Sequence, residues 1–97
     1  MATKNKKSTS HELTVGQNYF IRGVTHYYTG KLEAVTDQDL VLSSVAWIAD
    51  TGRFSNALEK GEFNEVEPYP KDAIVFVPRG SIVDISTWAH ELPRSVK

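Results

Sequence analysis

Short strand-like runs, four or five in number, the lack of any long amphipathic helix, and glycines where a strand would have to bend predict an all-β chain. Its expected form is a small, strongly bent antiparallel barrel with an inserted short helical segment. Ninety-seven residues suit one domain. At that size folding buries only about 60–65 % of the surface the unfolded chain exposes, which leaves room for a partner subunit to supply further burial.

Residues 1–12, opening "MATKNKKSTS", are poor in apolar side chains and carry three lysines, which predicts a flexible basic arm. A single domain then runs over residues 13–97. "YFIRGVTHYYTGKLEAV" is rich in aromatic and β-branched residues and is interrupted by Gly23 and Gly30, so it reads as one long bent strand or two. "TDQD" is a polar turn. "LVLSSVAWIAD" alternates, placing Leu40, Leu42, Ala46 and Ile48 on one expected face.

Residues 51–71 form an insertion before the fourth strand, too long for a simple hairpin connection and expected to pack on the barrel or on a neighbour. Within it Ser55 is the expected cap of a short helical turn ended by Gly61, with Trp47, Phe54 and Leu58 close to that turn. Pro68 and Pro70 stiffen the return. "AIVFV" and "IVDI" flank "PRGS" in the pattern of a hairpin. "STWAHELPRSVK" reads as a terminal cover anchored by Trp88 and Leu92.

Composition narrows the chemistry. Eleven Lys and Arg nearly balance twelve Asp and Glu, and 40% of the residues are hydrophobic. This disfavours a wholly disordered chain and a strongly basic nucleic-acid sleeve. The chain has no cysteine, so disulfides, thiol catalysis and thiolate zinc sites are excluded. No apolar run approaches the roughly 20 residues that span a bilayer, and a cytoplasmic setting without membrane contact is expected.

"HELPR" lacks the second histidine of a zinc-protease helix, and its proline opposes that helix. His11, His26 and His90 are too scattered for a metal cage, no serine has a nucleophile-elbow context, and no phosphate-binding glycine pattern occurs. The chain is therefore not expected to be an enzyme or to hold a cofactor. Tyr19, Tyr27, Tyr28 and Trp47 are read first as core or interface residues and second as stacking surfaces. Arg79 is read first as a turn residue.

Two separated stretches share a further pattern. "YYTGKLEAVTDQDLVLSS" carries Gly30 and Leu32, an apolar residue, a polar turn and a hydrophobic strand; "VFVPRGSIVDI" carries Arg79 and Gly80 before Ile82. In this order they resemble the two segments of the Sm and Sm-like family. "AWIADTGRF" and the insertion resemble a divergent group of that family associated with phages and environmental gene cassettes.

The resemblance implies a five-stranded Sm-like (SH3-type) barrel that pairs edge to edge into a homo-oligomeric ring of five to seven subunits. It implies a noncatalytic protein binding single-stranded RNA in a central pore. Arg79 and Gly80 match the family's residues there. Thr36 stands at the approximate aspartate position with Asp37 beside it, and the asparagine position falls at Asp39 or Leu40. Tyr27, Tyr28 and His26 would add secondary contacts. The alternative is a structural or protein-binding ring without nucleic acid, with Arg79 paired to an acidic neighbour, Asp37 or Asp39 first.

Overall fold

A computed structural model describes residues 12–97; the basic arm expected over residues 1–12 falls, except for Glu12, outside them. Six strands and one α-helix follow in the order β1 (Asn18–Gly23), β2 (Tyr27–Val35), β3 (Asp39–Asp50), α1 (Phe54–Lys60), β4 (Glu65–Pro68), β5 (Ile74–Pro78) and β6 (Ile82–Thr87). Every pairing is antiparallel. The sheet runs β4-β3-β2-β1-β6, with β5 also paired to β3.

This is an open sheet, and it overturns the expected closed five-stranded Sm-like barrel. Among the described residues no pairing joins β6 to β4 or β5. The reason lies in β3. Its 12 residues offer one edge to two strands in succession, β5 against Asp39–Ser43 and β4 against Ala46–Asp50. The insertion therefore contributes a strand of its own instead of only covering the sheet.

The expected hairpin around "PRGS" is also corrected. Arg79–Ser81 form a 3-10 turn in which the Ser81 hydroxyl donates to the Pro78 carbonyl at 2.8 Å. This turn carries the chain from β5, which pairs with β3, to β6, which pairs with β1. The Val24 amide donates to the Ser81 carbonyl at 2.9 Å and ties the turn to the end of β1.

Strand β3 does not present one face throughout. Thr29 pairs with Ala46 and Lys31 with Ser43, so β3 spends one extra residue opposite Gly30. Ser44 takes a left-handed conformation there, with φ 51. The bulge reverses the alternation: Leu40, Leu42 and Val45 join one buried cluster, whereas Ala46 and Ile48 join the other. The expected common face of Leu40, Leu42, Ala46 and Ile48 is thus split in two. Gly30 makes the bulge sterically possible, because a Cβ at that position would stand 3.2 Å from Val45 Cγ2 and 3.3 Å from the Ser43 carbonyl oxygen.

The first cluster unites Tyr19, Ile21, Leu32, Leu40, Leu42, Val45 and Val77. The second lies around Phe20, whose ring centroid is 5.7 Å from those of both Phe63 and Trp88. Burying side chains of this size contributes about 1.5–3 kcal/mol each. Trp88 anchors the terminal segment as expected, stacking on Phe63 and donating its indole N–H to the Glu91 carbonyl. Leu92 packs against the same cluster.

Helix α1 begins after Arg53 and not at a Ser55 cap, and no side chain caps it. Gly61 ends it in a left-handed conformation, with φ 72 and its N–H donating to the Ala57 carbonyl. Ala57 is the buried helix residue, while Phe54 and Leu58 stay partly exposed. Phe54 lies under the Arg22 guanidinium, 4.9 Å from the ring centroid, and Arg22 also pairs with Asp84 of β6. Among the described residues no helix is long and apolar enough to cross a membrane.

Two outcomes follow from this architecture. Ser44→Val should destabilise the fold by about 1–2 kcal/mol in urea denaturation, because a β-branched residue resists a left-handed backbone, while Ser44→Gly should leave stability equal or higher. The hydrogen bond from Arg22 holds the Asp84 carboxyl below its ordinary value of 3.8. A lowered folded-state pKa stabilises above that value and ceases to do so as pH falls through the folded-state one. The stability gap between wild type and Asp84→Asn should therefore be present at neutral pH and close on acidification below pH 3.8.

Candidate functional site: an aromatic cleft beside Glu67

The residues expected to share a site occupy three separate places. Asp37 and Asp39 belong to the turn between β2 and β3; Arg79 reaches that turn from the 3-10 segment joining β5 to β6, and its contacts there are architectural. Arg79 Nη1 donates to the Thr36 carbonyl and its backbone N–H to the Gln38 carbonyl, both at 2.9 Å. The Thr36 hydroxyl accepts the N–H groups of Gln38 and Asp39. Asp37 is exposed, and Asp39 begins β3 opposite Pro78.

Gly80 has open space where a side chain would stand, so no close contact demands glycine there. Tyr27 turns to the second buried cluster and meets Phe20 edge to face at 6.0 Å. Tyr28 points to the opposite face of β2 and packs against the first cluster.

His26 and Tyr28 do come together, with partners from other strands. They line an open cleft of about 370 Å³ with Trp47, Glu67, Pro68, Tyr69 and Pro70. The strand register builds it. Tyr28 pairs with Trp47, and Trp47 with Glu67, so residues of β2, β3 and β4 form one cross-strand row. Tyr69 lies two residues beyond Glu67, and its N–H donates to the Val45 carbonyl at 2.8 Å, which fixes the chain just past β4. Pro68 and Pro70 stiffen this wall.

The imidazole of His26 lies 6.2 Å from the Tyr28 ring at an interplanar angle of 18°, and 5.9 Å from Trp47. Its Nδ1 is 2.7 Å from the Thr25 hydroxyl oxygen. Partial burial, assisted by the adjacent Tyr69 hydroxyl, raises the Tyr28 phenol above its ordinary value and keeps it protonated. Trp47 keeps 37% of its surface exposed. The cleft thus offers aromatic faces, hydroxyls and one carboxylate.

Trp47 is visible in the sequence as an aromatic candidate, but Glu67 and Tyr69 are not. Their signal is the alternation in "EVEPYP", which puts Glu67 and Tyr69 on one side of an extended segment. Only the register of β4 on β3 brings that side next to Tyr28.

No protein-family model matches the chain, and no curated protein matches it. Together with the open sheet, this removes the basis for Sm-like membership, for the phage and gene-cassette kinship, and for an RNA-binding pore in a homo-oligomeric ring. Arg79, in the turn that joins β5 to β6, braces the β2–β3 turn. Arg79→Ala should lower stability by about 1 kcal/mol through loss of the bond to Thr36, and should speed hydrogen exchange at Asp39; unchanged exchange in that turn would contradict the bracing role.

Proposed function

We propose that this chain is a noncatalytic interaction domain, acting inside the cell, that captures a side chain of a partner protein in the cleft formed by His26, Tyr28, Trp47, Glu67 and Tyr69. The observation that carries the reading is the aromatic lining of the cleft, in which Trp47 keeps 37% of its surface exposed while Tyr28 and Tyr69 are partly buried. Aromatic rings that are not consumed by the core combine large contact area with low conformational entropy, and they dominate recognition energetics where they meet a partner. Pro68 and Pro70 keep one wall rigid, so little ordering is required on binding.

The cleft residues provide rings, hydroxyls and a carboxylate; the Thr25 hydroxyl meets His26 Nδ1 at 2.7 Å, but among the described residues no third group bonds the other ring nitrogen to complete a nucleophile–base–orienter set. Absence of cysteine is compatible with a reducing compartment.

Selection of a displayed peptide library on the full chain tests the reading. The expected outcome is an enriched sequence pattern whose binding falls at least about tenfold in Trp47→Ala and in Tyr69→Ala, with both variants retaining cooperative thermal unfolding. Enrichment that survives both substitutions would move the site elsewhere, and no enrichment would reject the interaction role.

A further inference from the structure

The lining of the cleft combines aromatic rings with a single acidic group and the imidazole of His26. Glu67 is its one carboxylate, and no lysine or arginine lines it. Among the described residues Glu67 takes part in no salt bridge. Arg94, the guanidinium adjoining Tyr69, is turned to backbone, donating to the carbonyls of Val45 at 3.3 Å and Tyr69 at 3.1 Å. Aromatic faces attract cations through their quadrupoles, and an unpaired carboxylate at the rim adds to that attraction.

Resting on the interaction role proposed above, we infer that the occupant of the cleft is the methylated ammonium head of a lysine side chain on a partner protein. Methyl groups weaken the hydration of the ammonium and spread its charge over an apolar shell, which suits the rings of Tyr28, Trp47 and Tyr69. An unmodified ammonium needs several strong acceptors to replace its water, and the cleft holds one carboxylate. A choline headgroup has the same cationic end, but its phosphate would lie close to Glu67 with no basic lining residue to hold it. The protein source is therefore the better match.

Calorimetric titration of the full chain with four probes tests this. They are a short peptide bearing trimethyllysine, the same peptide with unmodified lysine, the same peptide with the neutral tert-butyl isostere, and phosphatidylcholine vesicles. The trimethylated peptide should bind at least about tenfold more tightly than the neutral isostere, and Glu67→Gln should reduce that preference. Glu67 is exposed, so this substitution leaves the core untouched.

Equal binding of the isostere would overturn the cationic assignment, yet leave the interaction role standing if library peptides still depend on Trp47. Preference for unmodified lysine, or binding of vesicles alone, would likewise overturn it. Failure of every probe together with failure of the peptide selection would remove both readings at once.

Discussion

The constraint on which the structure depends is the division of labour along β3. One strand pairs with β2 on one side and with β5 and then β4 on the other. A strand with two buried faces cannot keep a simple alternation if its two halves must feed different clusters. The extra residue at Ser44 solves this by inverting the pattern midway, and Gly30 supplies the space opposite it. A compensating irregularity lies between Leu32 and Ala34 of β2. The register beyond the bulge then sets Trp47 beside both Tyr28 and Glu67, so the cleft is a consequence of the same inversion.

Much of the element inventory is legible in the sequence because it is local. The aromatic and β-branched run from Tyr19, the polar "TDQD" turn, the short helix ended by Gly61 and the terminal anchor Trp88 all depend on residues near one another. The sheet's connectivity is not local. Leu40, Leu42, Ala46 and Ile48 follow a period of two without interruption, so nothing in the spelling reveals that Ser44 shifts the phase. "PRGS" between two apolar runs has hairpin chemistry, and only the pairing of β5 with β3 and β6 with β1 shows otherwise. A two-part motif match spanning Gly30, Leu32, Arg79 and Gly80 was too sparse to specify closure of the sheet or assembly of copies.

The candidate site shows the same limit in chemical form. Arg79 draws attention because a basic residue beside glycine in a turn suits an anion, but its donors brace a turn of its own chain. Arg22 has a comparable structural use, linking β1 to β6 through Asp84 and to α1 through Phe54. The more informative residue is the unpaired Glu67, whose neighbours are aromatic. Its surroundings come from three strands, and pairing register is the one property that single-sequence periodicity cannot supply.

The 3-10 turn between β5 and β6 has a bearing on how the chain reaches its native state. β1, β2 and β3 form successive neighbours, and β4 follows β3 after one helix. These contacts close short loops and can assemble early. β6 must instead find β1, with Tyr19 opposite Thr87, across nearly the whole described chain. Closing that long loop carries the larger entropic cost and yields contacts only once Arg79–Ser81 has redirected the chain. The β1–β6 ladder is thus the natural late event in folding, and until it forms the outer edge of β1 is an unpaired template exposed to other chains.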